Sequence, residues 1–153
     1  MRGPARRDAA PAKRQAAVIS RMATSRKPRR PAGRASSLDR LRMVCLAFPE
    51  AHEVEAWGEP TFRVRGKIFA MYASANNHHG AGRPGVWCKS IAVTQDALVR
   101  AEPDRFFVPP YVGPRGWTGV RLDGPVRWDV LEDLLTDAWR STAPRRIAAL
   151  LAR

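Results

Sequence analysis

Cysteine is scarce in this chain, with only Cys45 and Cys88 among 153 residues. Neither lies in a C-x-x-C pair or beside a histidine at ligand spacing, so the pattern excludes a disulfide framework and a zinc-finger type of site. Two isolated thiols fit a reducing, cytoplasmic setting. No run of about 18 apolar residues occurs, which excludes a membrane-spanning helix on length. Ala16-Ala17-Val18-Ile19 is too short for the apolar core of a secretory signal. Catalytic signatures are missing too: there is no G-x-S-x-G, Walker, H-E-x-x-H or Rossmann pattern, and neither cysteine has neighbours that would activate it. A non-enzymatic protein without a cofactor is expected.

Acid is also in short supply, with 14 Asp and Glu against 27 Lys and Arg and a net charge of +13. The excess is unevenly placed. Residues 1–36 hold eleven Lys or Arg against the single acid Asp8 and show no sustained apolar period, so they read as a disordered basic arm. Only +3 is left for residues 37–153, which suffice for one domain with a real core. Such an arm attracts any polyanion without sequence preference. Its Arg-rich, acid-poor composition also suits an organellar transit peptide, although the Ala, Arg, Pro and Gly bias of the whole chain favours a bacterial tail. Met22 is a second candidate start.

Order is expected from Ser36 or Ser37, either of which can cap a helix with Leu38, Leu41 and Cys45 on one face and Pro49 as its stop. Phe62 and Val64 alternate with Arg63 and Arg65, the pattern of a half-buried strand. Residues 58–60 read as the turn before it, and Arg65-Gly66-Lys67 as a tight hairpin turn into a strand over 68–73. Residues 76–85 form a polar loop, and 86–89 resume the sheet. Thr94 can cap a short helix to about Ala101 with Leu98 inward. A strand follows over 117–122. From about Asp129 to Thr142, Leu131, Leu134, Leu135 and Ala138 share one helix face, largely opposite Asp129, Glu132, Asp133 and Asp137. Pro144 is expected to end or kink this helix, and Arg145-Arg146 to open a short, mostly apolar segment of one or two further helical turns.

Between the last two of these elements and the rest lies the most distinctive stretch, residues 106–122, with three prolines, three glycines and four aromatics. Proline fixes φ and glycine admits positive φ, so the mixture specifies a rigid, shaped loop suited to recognition or packing.

Five blocks then combine. Cys45-Leu46-Ala47-Phe48-Pro49, Glu53-x-x-x-Trp57-Gly58-x-Pro60-x-Phe62-Arg63-Val64, Gly66-Lys67-Ile68-Phe69, the run Pro109 to Trp117, and Ala143-Pro144-Arg145 follow in order over about residues 38–148. Together they resemble the MmcQ/YjbR family. The resemblance implies a single two-layer α+β domain of CyaY-like arrangement, an antiparallel sheet packed against helices, and DNA binding. Trp139 stands where that family often has Tyr, and Val126-Arg127-Trp128 replaces a longer polar lead into the last helix.

The residues expected to contact DNA or another polyanion are Arg63, Lys67, Lys89, Tyr111, Arg115, Trp117, Arg145 and Arg146. Arg115 sits between Pro114 and Gly116, where a stiff loop can hold a guanidinium fork for phosphate. Stacking on Trp117 or pairing with an acid of the domain is the competing use of that side chain. Trp57, Trp87, Tyr111 and Trp117 lie near basic residues and invite base stacking. Core packing is the expected fate of most of them, with Tyr111 the exception. His52, His78 and His79 lack the spacing and carboxylate neighbours of a metal site. Frataxin-like proteins of the same fold class use acidic surfaces for iron, but the acids of the last helix read as its solvent face, favoured near the N-terminus by the helix dipole. Two functions remain open: nucleic-acid binding, or a protein- or small-ligand-binding module whose basic arm is incidental.

Overall fold

The computed structural model describes residues 36–76 and 82–151. The predicted arm, except for Ser36, and the pair His78 and His79 lie outside them. Six strands form one antiparallel sheet: β1 (Ala51–Ala56), β2 (Glu59–Val64), β3 (Lys67–Ala73), β4 (Gly85–Cys88), β5 (Phe106–Phe107) and β6 (Thr118–Arg121), in the order β1-β2-β3-β4-β6-β5. The helices are α1 (Ser37–Leu46), α2 (Ala92–Ala101), α3 (Trp128–Thr142) and α4 (Arg145–Ala148). This is the expected α+β class.

Local chemistry accounts for most elements. Ser36 Oγ accepts the Asp39 N–H at 3.0 Å while the Asp39 carboxylate accepts the Ser36 N–H, a reciprocal cap that starts α1. Two-residue turns join the first three strands, Trp57-Gly58 and Arg65-Gly66, with φ of 54°, 78°, 52° and 78°. Positive φ at both central residues lets a two-residue turn follow the twist of its strands. The first turn therefore falls at 57–58 instead of 58–60, and Glu59 and Pro60 already belong to β2. Its position also puts Trp57 on a hairpin tip, 76% exposed, rather than in the core.

Pairing of Phe62 with Ala70 and of Arg63 with Ile68 leaves Phe69 as an extra residue in β3. The resulting bulge turns Phe69 and Ala70 both inward, and both are fully buried. Against this face lies α3, burying Trp128, Val130, Leu131, Leu134, Leu135, Ala138 and Trp139. The Trp139 ring stacks on Phe48 at 5.5 Å, and Phe48 meets Phe69 edge-on at 6.0 Å. Trp139 Nε1 donates to the Pro49 carbonyl at 3.1 Å, which ties α3 to the end of α1. Truncating such a buried aromatic typically costs about 3–5 kcal/mol.

One predicted cap is corrected. Helix α2 begins at Ala92 with Ile91 as its N-cap and no side-chain cap bond. Thr94 is instead buried inside the helix, one turn before the buried Leu98, so its hydroxyl faces the core and not the helix end.

The opposite face of the sheet carries a smaller cluster of Ala73, Trp87 and Trp117, joined by Ile68, Met71, Phe107 and Val112. The Phe107 ring lies where a side chain at Gly119 would stand, and the Arg121 guanidinium covers that ring at 4.2 Å.

Candidate functional site

Strand register assembles one end of the domain. Ala51 pairs with Val64, Val64 with Lys67, and Cys88 with Thr118. The Lys89 N–H bonds the Phe69 carbonyl at 3.0 Å. Lys67, Lys89 and Trp117 consequently stand at the same end of the sheet, beside the Arg65-Gly66 turn. Helix α3 runs toward this end, since its C-terminal Trp139 bonds Pro49, the residue that precedes Glu50 and β1. Arg145 and Arg146 open α4 immediately afterwards, and Arg146 is close enough to Glu50 to help hold its carboxyl low.

The loop 108–116 completes this end. Val112 N–H donates to the Pro110 carbonyl at 2.6 Å, closing a three-residue γ-turn around Tyr111 at φ 65°. Gly113–Arg115 form a single 3₁₀ turn. Gly116, at φ 95°, lies against the start of α2: a Cβ there would meet the backbone of Ile91 and Ala92 at 2.7–2.8 Å. Only glycine allows both that conformation and that approach. Gln95 Nε2 donates to the carbonyls of Gly113 and Trp117, at 2.8 and 2.6 Å, and so clamps the loop onto α2. Pro109, Gly113, Gly116 and Trp117 are buried, whereas Tyr111, Pro114 and Arg115 face solvent. The loop thus presents part of its surface outward. The cavity beside β5 and β6, lined by Phe106, Val120, Val126 and Leu131 among others, holds about 10 Å³, the room of about one water.

Among the described residues, the side chains of Lys67, Lys89, Arg115 and Arg145 make no ion pair or hydrogen bond. Partial burial and the neighbouring Lys67 lower the Lys89 pKa, which marks a crowded positive site. The acid of this group is Glu50, already bound by Arg65 at 2.6 Å; that bond holds the Glu50 carboxyl below its usual range. Arg115 thus takes neither of the internal uses open to it in the sequence, stacking on Trp117 or pairing with an acid. Arg63 pairs with Ile68 next to Lys67, and its Nε donates to Thr61 Oγ1 at 3.0 Å. Trp117 packs into the second cluster and is 7% exposed. Gln95 and Ile91 also shape the site, and the sequence carries no motif for them; their part follows from where α2 meets the loop.

Other reactive groups lie elsewhere. Burial pushes the Cys45 thiol up, with a further contribution from nearby Cys88, and raises Cys88 to about 12. Among the described residues no three His, Cys, Asp or Glu side chains gather as metal ligands. His52 is exposed on β1.

The family model YjbR matches residues 46–141. The chain belongs to the YjbR family. Its domain is similar to the crystal structure of Deinococcus radiodurans protein DR2400, assigned to the family-model domain DUF419, with a TM-score of 0.59 and 20% identity over 70% of this chain and 78% of that one. That likeness is one of fold. No match was found among curated proteins. The matched YjbR region contains the sheet, α2, the shaped loop and nearly all of α3, whereas Arg145 and Arg146 follow it. No described helix is long and apolar enough to cross a membrane.

Proposed function

We propose that the folded domain is a non-enzymatic binding module for nucleic acid, engaged at the turn end by Lys67, Lys89, Arg115, Arg145 and Arg146. The observation that carries this reading is the concentration of cations there, of which Lys67, Lys89, Arg115 and Arg145 pair with no carboxylate among the described residues, in a domain whose overall excess is only +3. From β1 to β6 the strip crosses four inter-strand steps, roughly 20 Å at the usual strand spacing. That reach exceeds the ~12 Å width of a DNA major groove, so the strip is wide enough to meet phosphates on both sides of one. A binding role also suits the chemistry. Arginine and lysine stay protonated at neutral pH, and Ser90 Oγ at this end bonds Thr118 Oγ1 at 2.9 Å rather than an imidazole or carboxylate. The arm outside the described residues would add affinity that is insensitive to sequence.

Fluorescence anisotropy of labelled oligonucleotides with the full chain, at two salt concentrations, tests this reading. Combined Lys67→Glu, Lys89→Glu and Arg115→Glu should lower affinity on the order of a hundredfold at low salt and reduce the logarithmic salt slope by about 3. A folded triple variant with unchanged affinity and slope would mean that the arm alone binds.

A further inference from the structure

Resting on that reading, we propose that the turn end takes single-stranded nucleic acid, with one unpaired base stacked on the Tyr111 ring and the adjoining phosphates held by Arg115 and Lys89. Three observations lead there. Tyr111 is 71% exposed although it sits in a closely packed loop. Ile91 and Val108, against which Gly116 and Gly113 of the same loop pack, are exposed, as is Val93 at the start of α2. Cations flank this apolar ground, Arg115 four residues along the loop and Lys89 two residues before Ile91. A duplex offers such a surface only phosphates and base edges, because its base faces are stacked inside, and apolar side chains pressed against phosphates gain nothing. A single strand offers phosphates and exposed π-faces together, which is the combination this surface matches.

The backbone supports the same conclusion. A tyrosine at φ 65° in a γ-turn is a costly conformation, held here by Pro109, Pro110, the Gly116 contact and the Gln95 clamp. A ring presented on so stiff a loop loses little freedom when a base stacks on it, so more of the stacking energy appears as affinity.

The test uses the full chain with a short oligothymidine, an abasic strand of equal length and charge, and a duplex of equal length. Tyr111→Ala and Tyr111→Gly should each weaken oligothymidine binding by about tenfold, given stacking of ~1–3 kcal/mol per base. Both variants should leave the abasic strand and the duplex within about twofold, and Tyr111→Phe should bind as the parent does. Glycine suits the positive φ, so Tyr111→Gly guards against losses caused by a disturbed loop. Photocrosslinking of a 5-iodouracil strand should label Tyr111 in the tryptic peptide 106–115. Equal losses on the abasic strand, no loss on oligothymidine, or crosslinks confined to other peptides would overturn the assignment. If Lys89→Glu and Arg115→Glu weaken all three ligands while the Tyr111 variants change none, the polyanion reading survives and the single-strand assignment falls. If neither set has any effect, both fall.

Discussion

The two ends of the sheet use arginine and lysine in opposite ways. At the end away from the Arg65-Gly66 turn, Arg83 pairs with Asp123 at 2.8 Å, and Glu102 receives both Arg105 and Arg127, at 3.1 and 2.8 Å. These bonds lock the entry to α3 and the exit from α2. At the turn end, Lys67, Lys89, Arg115 and Arg145 have no carboxylate partner among the described residues, and a salt bridge joins Arg65 to Glu50. Cations at one end are therefore consumed by the fold and at the other are held ready for something outside it. Counting charge over the whole domain averages the two ends and hides the difference.

The largest expected effect comes from disturbing how the turn end is held. Gly116→Ala places a methyl group against the Ile91 and Ala92 backbone at a φ that alanine avoids, and should destabilise the protein by about 3 kcal/mol. Thermal melting would reveal the loss, and oligonucleotide binding should weaken with it; a variant of parental stability would contradict the tight packing of the loop on α2. At the other end, Glu102→Ala removes the partner of two arginines and should cost about 2 kcal/mol in chemical denaturation. Arg115→Ala should stay within about 0.5 kcal/mol in the same experiment. Similar losses for the two variants would erase the contrast between structural and available cations.

A pH titration gives a smaller, more selective comparison. Burial and Lys67 depress the Lys89 pKa, so Lys89 loses its charge before an ordinary lysine as pH rises. Polyanion affinity should then fall severalfold on the alkaline side, while arginine pairs at the other end keep their charge. Lys89→Arg should remove that early fall, and an unchanged profile would take Lys89 out of the contact. The smallest effect belongs to the other hairpin tip. Trp57 adopts φ 54° and is largely exposed, so Trp57→Asn should raise stability by about 0.5 kcal/mol, because asparagine tolerates that conformation. A marked loss on melting would show that the indole makes a contact of structural weight.

Legibility in the sequence followed the range of the interactions involved. The cap at Ser36, the Arg65-Gly66 turn, the apolar stripe of α3 and its stop before Pro144 depend on neighbours within a few residues, and all were readable. Where a distant contact set the outcome, reading failed. Thr94 looked like a cap, but the loop around Gly116 lies against Ile91 and Ala92, and the helix begins three residues earlier, with Ile91 as its N-cap. Trp57 looked like a core residue, yet a two-residue turn carries it to the tip, because the strand pairing continues through Glu59 and Ala56. Among the candidate contacts, the burial of Trp117 and the bond between Arg63 and Thr61 were likewise invisible beforehand.

Alone, the order of residues determined a two-layer α+β domain of the YjbR kind, a basic segment before it and a stiff loop between the second helix and the last strand. The family likeness rests on its five sequence blocks, and the rest on local propensity, periodicity and spacing, which the chain carries whatever its partners do. Only the tertiary structure decided which cations stand together. Lys67, Lys89, Arg115 and Arg145 are separated by 22, 26 and 30 positions, and no local rule links them. Antiparallel register, the direction of α3 and the packing of the loop on α2 bring them to one end, because side chains far apart in sequence become neighbours only through the pairing of the strands and helices that carry them.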